Sequence, residues 1–236
     1  MRKFVLSALA VAAFAAPSFA ALAPGQVLYN PQLNGTGEIG AGGPFYTSGA
    51  PAWLGGPLLA TLSAPIAGIP GFLQFQGTVT SRVAQVSPGV LGFAYQIELN
   101  AQSAPNLVRA ALNPIGWSGV NILDTGADGS GVSTNASGNT VWNDGDPYFI
   151  ERAATPEENP QWQFRLGSDG TQINKSNRSA WVWFEVQAQS WSESTISLLD
   201  GGAAGASRVL TIVIPSPAAA GLGMLGLALV GALRRR

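Results

Sequence analysis

Apolar and polar residues alternate along the middle of the chain. Between Gly71 and Val86, every second residue from Phe75 to Val83 is apolar or small, and the residues between them are polar. The alternation resumes in Val90–Leu99, after a Ser-Pro-Gly turn sequence. A period of two is typical of a strand with one buried face. Two such runs joined by a short turn predict a β-hairpin.

Shorter runs of β-branched and aromatic residues recur along the rest of the chain, separated by clusters of Asn, Asp, Gly and Ser. No stretch within 21–214 has the i, i+3, i+4, i+7 spacing of an amphipathic helix. We therefore predict an all-β fold, an antiparallel β-sandwich of jelly-roll-like form, with a loop-rich start over 21–70. The further predicted strands are Gln26–Tyr29, Leu58–Ser63, Leu107–Leu112, Val120–Leu123, Thr140–Trp142, Tyr148–Arg152, Gln161–Leu166, Ala180–Ala188, Ser194–Leu199 and Arg208–Ile214.

The first twenty residues have the pattern of a secretory signal peptide. A basic pair precedes an apolar run from Phe4 to Ala16, and a small-x-small motif ends at Ala20. This pattern predicts a signal helix that is cleaved between Ala20 and Ala21. Residues 21–214 are then expected to be exported as one domain.

The last 22 residues form a segment with three parts. Pro215-Ser216-Pro217 stops the last predicted strand, an uncharged apolar run covers 218–233, and Arg234, Arg235 and Arg236 follow. As a helix the run is about 24 Å long, somewhat short of a hydrocarbon core of ~30 Å. Local thinning and snorkelling arginines can close that gap. The segment predicts a transmembrane helix with its arginines on the cytoplasmic side.

A signal peptide combined with this tail resembles the bacterial PEP-CTERM sorting signal, with Ser216 in place of the family's glutamate. The resemblance implies that an exosortase-type membrane enzyme recognises the tail and processes it near the prolines. The protein would then reside in the cell envelope or an extracellular matrix. Two matches in the exported region, Phe75 to Val83 and Leu91 to Tyr95, are similar to strands of that family and imply a β-sandwich without assigned activity. A plain C-terminal membrane anchor is the alternative for the tail.

Charge and composition limit the possible functions. Of 12 basic residues, five lie in the terminal segments, so the exported part has seven against 13 carboxylates, a formal balance of −6. An acidic domain without basic clusters argues against nucleic acid as a partner. The absence of cysteine excludes disulfides, and the absence of histidine excludes serine and cysteine triads of the His type and His-based zinc sites. We expect a non-enzymatic protein.

Asp124-Thr125-Gly126 follows the apolar pair Ile122-Leu123 and looks like the catalytic loop of retroviral-type aspartic proteases. Such enzymes need two carboxylates that share a proton, so a single copy would require a homodimer. No later segment matches the family's supporting motif. The alternative interpretation is an Asx turn at the end of a strand.

Four aspartates, Asp124, Asp128, Asp144 and Asp146, lie in two Gly-rich stretches. Hard oxygen ligands on loops are typical of Ca²⁺ sites, although these spacings complete no EF-hand loop. Calcium is therefore the one candidate cofactor, and solvated turn aspartates are the alternative. A glycosidase would need a carboxylate pair across a sugar, which the sequence does not place.

Seven tryptophans lie in the exported part, and Trp181 and Trp183 share one face of a predicted strand whose other face carries Phe184. A strand that is apolar on both faces indicates a central position in a sandwich. Aromatic faces also stack on sugars. The sequence therefore favours a structural or adhesive envelope protein, and an exopolysaccharide-binding module is the alternative.

Overall fold

A computed structural model describes residues 21–31, 44–103, 107–129, 146–164, 177–200 and 203–213. The predicted signal helix, the predicted strand Thr140–Trp142 and the predicted membrane segment 218–233 lie outside these ranges. Within them, no helix is long and apolar enough to cross a membrane.

Strands dominate the described residues, as predicted, and form two sheets. The strands are β1 Val27–Tyr29, β2 Thr47–Ser48, β3 Ala60–Pro65, β4 Ala67–Gly68, β5 Leu73–Gln74, β6 Gly77–Ser87, β7 Val90–Leu99, β8 Arg109–Leu112, β9 Ile122–Ala127, β10 Phe149–Arg152, β11 Pro160–Gln163, β12 Val182–Gln187, β13 Trp191–Asp200 and β14 Ala203–Ile212. One sheet has the strand order β1-β10-β11-β8-β13-β14-β4, with β5 also paired to β14. The other has the order β2-β9-β12-β7-β6-β3.

The main core lies between the two sheets and is rich in aromatic side chains. Tyr95 of β7 stacks on Trp162 of β11, with 5.8 Å between ring centroids. The Tyr95 hydroxyl donates to the carbonyl of Leu210 on β14 at 3.0 Å, so this residue joins the sheets by packing and by a hydrogen bond. Burial raises the pKa of Tyr95 far above its usual range, so its hydroxyl stays a donor. This two-sheet arrangement is the predicted β-sandwich.

The predicted hairpin is confirmed. β6 and β7 pair antiparallel with Val83 opposite Phe93, and both side chains are buried in the core. The turn contains Gly89 at a φ of 78°, a left-handed conformation that glycine adopts without steric cost. Alternation alone was thus enough to fix which face of each strand points inwards.

The prediction of one strand from Gly71 to Val86 is wrong. The chain breaks into β5, which joins the eight-stranded sheet, and β6, which joins the six-stranded sheet. The change of sheet occurs before Gly77, whose φ is 156° and where an added Cβ would clash with the Glu98 carbonyl oxygen. Period-two patterning does not reveal such a transfer, because Phe75 and Val79 are buried in the same core on either side of it.

The sheets are not purely antiparallel, which corrects the prediction. Two-residue strands β2 and β5 pair in parallel with β9 and β14 respectively. β9 also begins and ends later than the predicted Val120–Leu123, and β14 begins at Ala203, five residues before the predicted start. Runs of Ala, Gly and Ser have weak strand preference, so tertiary pairing decides those boundaries.

A buried ion pair holds the N-terminal end of the described chain. The guanidinium of Arg152 donates to the carboxylate of Glu158 at 3.0 Å and to the backbone carbonyls of Glu158, Leu22 and Trp117. The Glu158 carboxylate also accepts the Gly119 N–H at 2.9 Å. Both charged side chains are at most 10% exposed. Arg152 therefore joins three loops to β10.

Replacing Arg152 with methionine is expected to lower the free energy of unfolding by about 3–5 kcal/mol, because Glu158 and three carbonyls lose their partner while buried. The matched control is Arg208→Met, which breaks an exposed pair with Glu193 of the same 3.0 Å length and is expected to cost about 0–1 kcal/mol. Urea unfolding followed by tryptophan fluorescence measures both. Equal losses in the two variants would contradict this role for Arg152.

Candidate functional site

The outer face of the six-stranded sheet carries a second hydrophobic cluster, separate from the main core. Residues 47–56, here called the cover segment, begin as the edge strand β2 and continue over this face as a turn and a 3-10 turn at Ala52–Gly55. Trp53 and Leu54 of the cover segment pack there against Ala94, Trp181 and Trp183 of the sheet. The predicted shared face of Trp181 and Trp183 is confirmed, and β12 lies inside the sheet between β9 and β7.

Trp53 lies against the backbone of β7 at a glycine. A Cβ added at Gly92 would approach the Trp53 ring to 2.5 Å, so the ring fills the space that a side chain would take. The Trp53 indole N–H donates to a carboxylate oxygen of Glu185 at 2.8 Å. Gly92 is opposite Glu185 in the β7–β12 register. Packing and the hydrogen bond therefore hold Trp53 beside one acidic side chain.

Trp183 is seated in the same way at Gly126 of β9. An added Cβ at Gly126 would lie 2.7 Å from the Trp183 ring, and the Trp183 indole N–H donates to the Gly49 carbonyl at 3.1 Å. This glycine is the third residue of the Asp-Thr-Gly motif. Its small size serves close packing of a tryptophan, which the protease comparison did not anticipate.

Trp181 faces a cation across the sheet. The Arg82 guanidinium of β6 stands 4.2 Å from the Trp181 ring centre, a cation–π contact. The backbone N–H of Trp181 donates to the Asp128 carboxylate at 2.9 Å. Arg82 is thus engaged by Trp181, which lies four residues, or ~13 Å along an extended chain, from Glu185.

Two carboxylates are direct neighbours on this face. Asp124 of β9 and Glu185 of β12 are opposite each other in register. Asp124 is 7% exposed and accepts hydrogen bonds from the Thr47 hydroxyl at 2.9 Å and the Thr125 N–H at 2.8 Å. Burial raises the pKa of Glu185, the nearby Asp124 raises it further, and the Trp53 hydrogen bond opposes both effects. The surroundings of Glu185 therefore disfavour its ionised form.

A cavity of about 340 Å³ opens beside Glu185. We call it the bulge cavity, because the two β-bulges among the described strands of this sheet lie next to it. The β6–β7 register shifts between Gln85 and Ser87, and the β9–β12 register shifts between Glu185 and Val186. Each shift leaves one extra residue without a cross-strand partner. The cavity is lined by Val86, Ser87, Val90, Leu123 and Glu185, which include both extra residues, Val86 and Leu123.

A larger groove of about 480 Å³ lies at the C-terminal end of β14, between Ile115 and Val213. Its one carboxylate, Glu193, is exposed and paired with Arg208. The rest of its lining is Gly, Ser, Thr and aliphatic. The groove thus offers less chemistry than the smaller cavity beside Glu185.

The interpretation of Asp124 as part of an Asx turn is wrong. Asp124, Thr125 and Gly126 lie within β9, and Asp124 is buried beneath Thr47 of the cover segment. The Thr125 hydroxyl donates to the Trp183 carbonyl at 2.8 Å. Each residue of the Asp-Thr-Gly motif therefore makes a contact that stabilises the fold.

The three predicted calcium ligands that the structure describes do not form one cluster. Asp124 lies on β9 and Asp128 directly follows that strand, whereas Asp146 is buried just before β10. Asp146 is near Tyr46: burial raises the pKa of Tyr46, and the charge of Asp146 raises it further. Asp144 lies outside the described residues. Among the residues that the structure covers, no group of three acidic side chains is placed to hold a metal ion.

Six of the seven tryptophans are described, and none of these six is exposed. Trp117, Trp162, Trp181 and Trp183 are buried, and Trp53 and Trp191 are half-buried. A flat pair of exposed rings, the sugar platform that the carbohydrate alternative predicts, is not found in this part of the chain. Trp142 lies outside it.

Sequence reasoning missed Glu185, Trp53 and the bulge cavity. Glu185 is the one charge in an otherwise apolar strand, and it shares the period of Trp181 and Trp183. That spacing could have placed it on the tryptophan face. The cover segment and the two bulges had no comparable signal.

No protein-family model, no curated protein and no solved structure matches this chain. The site can therefore be interpreted only from its own geometry and chemistry.

Gly92→Ala is expected to destabilise the protein by about 1–3 kcal/mol, because the new methyl group overlaps the rigid Trp53 ring and displaces it from Glu185. Gly55→Ala in the cover segment is the matched control, since an added Cβ there meets nothing within 4 Å. Urea unfolding gives both values. A Gly92→Ala variant as stable as Gly55→Ala would show that Trp53 is not seated there in solution.

The raised pKa of Glu185 predicts a pH-dependent loss of stability. Folding favours the protonated carboxyl, so the wild-type free energy of unfolding falls as pH rises from the usual value of 4.5 through the raised folded pKa. Glu185→Gln stays neutral and keeps an acceptor for Trp53. Its stability relative to the wild type is expected to increase as pH rises above the usual carboxyl value of 4.5.

The control for this titration is Glu98→Gln, an exposed glutamate on neighbouring β7. Its effect on the free energy of unfolding is expected to be small, within about 0.5 kcal/mol, as for other exposed substitutions. Denaturant midpoints at several pH values measure both differences. A pH-independent effect of Glu185→Gln would contradict the inference that folding disfavours the ionised form of Glu185.

Proposed function

We propose that this chain is a non-enzymatic, exported bacterial protein of the cell envelope or extracellular matrix, with a structural or adhesive role. A signal peptide directs it out of the cytoplasm, and an exosortase-type enzyme recognises its C-terminal segment. The observation that carries the proposal is the three-part tail Pro215–Arg236 combined with the signal-peptide pattern at the other terminus. The jelly-roll-like topology, the signal helix and the transmembrane helix belong to the same proposal.

The extent of the folded domain supports this division of the chain. Leu22, two residues after the proposed cleavage, is 1% exposed, and its N–H donates to the Ile122 carbonyl. At the other end, the Val213 N–H donates to the Ser190 carbonyl, two residues before Pro215. The sandwich therefore uses residues close to both proposed boundaries.

The surface of the eight-stranded sheet is compatible with an adhesive role. Ile69, Phe72, Leu73 and Leu199 are each more than a third exposed, and Leu73 and Leu199 lie on strands that pair near the start of β14. Exposed apolar side chains grouped in this way are typical of protein interaction surfaces. They favour contacts with other proteins over an enclosed chemical site.

Mass spectrometry of the protein exported by its native host tests the processing. The expected mature chain begins at Ala21 and ends upstream of Arg234. Replacing Pro215 and Pro217 together with alanine is expected to leave the tail attached, because the enzyme loses its recognition motif. Recovery of wild-type mature protein with Arg236 intact would overturn the proposal.

Arg208→Gln is the control for tail recognition, since this exposed arginine belongs to β14 and lies upstream of the tail. It is expected to be processed like the wild type. Replacing Arg234, Arg235 and Arg236 with glutamine should instead block processing. If both arginine variants were processed normally, the three C-terminal arginines would not be part of the sorting signal.

A further inference from the structure

The bulge cavity beside Glu185 is built by two local irregularities in an otherwise regular sheet. Val86 is the extra residue of β6 and Leu123 that of β9, and both side chains line the cavity. A β-bulge redirects a side chain and interrupts the ladder, and such bulges are common beside functional sites. Two bulges from non-neighbouring strands that open onto one cavity indicate a binding site.

Glu185 is the acidic group of this cavity. Trp53 donates to one of its oxygens at 2.8 Å and restricts its orientation. The ion pairs found in the described parts of the chain are Arg109–Glu151, Arg152–Glu158 and Arg208–Glu193, so no described cation pairs with Glu185. Arg82 of β6 is held over Trp181 instead. A cationic ligand would therefore stabilise the negative charge of Glu185, which no described cation of the protein does.

The other walls decide what kind of cation fits. Val86, Val90 and Leu123 are half-buried aliphatic side chains, which suit a short aliphatic chain, and Ser87 adds a hydroxyl oxygen. A guanidinium binds carboxylates best through a two-point fork, but Trp53 already uses one oxygen of Glu185. An ammonium is a compact charge with three donors, which Glu185 and Ser87 can share.

We propose that the bulge cavity binds a primary ammonium group on a short aliphatic chain, namely the lysine side chain of a protein partner. The cavity lining is only partly buried, so a free amine would remain half in solvent. A lysine presented by a polypeptide gains further contacts along the sheet. The acidic balance of the exported part also attracts such a cationic segment.

Nuclear magnetic resonance titration of the full-length, ¹⁵N-labelled protein tests the site. The first probe is n-butylammonium chloride, expected to shift the amides of Val86, Val90 and Leu123 with a Kd on the order of 1–10 mM. The second is a short peptide with one central lysine, expected to bind several-fold more tightly. Equal affinity of both probes would overturn the assignment to a protein partner, and no saturable shift with either would overturn the site.

Charge and shape are separated by variants and by a modified probe. Glu185→Gln is expected to weaken binding roughly tenfold, while Glu98→Gln binds like the wild type. Leu123→Phe fills the cavity, leaves Glu185 in place and is expected to abolish binding. The same peptide acetylated on its lysine should not bind, because it lacks the charge. Unchanged binding of either Glu185→Gln or the acetylated peptide would refute recognition of the ammonium.

The processing of the tail is a separate question. Binding to the cavity is measured on the folded domain and does not depend on cleavage at the proline motif. A chain that retains Arg236 can still bind the lysine peptide, and a processed chain can fail to bind it. The two proposals can therefore fail independently.

Discussion

The structure depends on the burial of β12 on both faces. Its inward side chains, including Phe184, pack in the main core, and its outward side chains, Trp181 and Trp183, need a second cover. A sandwich of two sheets supplies only the first of these. The cover segment supplies the second. This explains why a loop-rich stretch far away in sequence joins the edge of this sheet as β2 and then crosses its outer face as a 3-10 turn.

Covering this face also creates its polar chemistry. Two indole N–H groups need partners when they are buried. Trp183 finds a backbone carbonyl at Gly49, and Trp53 finds the carboxylate of Glu185. Glu185 is thereby fixed next to Asp124, and the two bulges leave room beside it. The raised pKa of Glu185 and the cavity beside it thus both follow from how the tryptophans are covered. Mutations at Gly92 or Gly126 would therefore alter both together.

The sequence predicted those parts of the fold that depend on local alternation. The β6–β7 hairpin and the two-faced character of β12 are examples, because each follows from side-chain periodicity within one strand. The short strands β2, β4 and β5 could not be predicted in this way, since two residues carry no period and pairing with distant strands defines them. The Asp-Thr-Gly motif misled for a similar reason. Its residues pack against Thr47 and Trp183, which are distant in sequence.

The positions of the described aspartates show the same limit on the scale of a site. Spacing groups Asp124 with Asp128 and Asp144 with Asp146, but the first pair serves the outer face of the six-stranded sheet and Asp146 is buried before β10 of the other. The carboxylate that does neighbour Asp124 is Glu185, 61 positions later in the chain. Only the register of β9 against β12 brings these two together.

The bulge cavity and the C-terminal end of the domain lie at the same pole of the sandwich. The Gly89 carbonyl of the hairpin turn accepts the Ala188 N–H, and the Ser190 carbonyl accepts the Val213 N–H. One residue, Ile214, lies between Val213 and Pro215, so these two are at most about 7 Å apart. The exposed side chains of Phe72 and Leu73 lie towards the other end of β14, about 30 Å away. A domain held by the proposed tail would therefore turn the cavity towards the membrane and this apolar surface away from it.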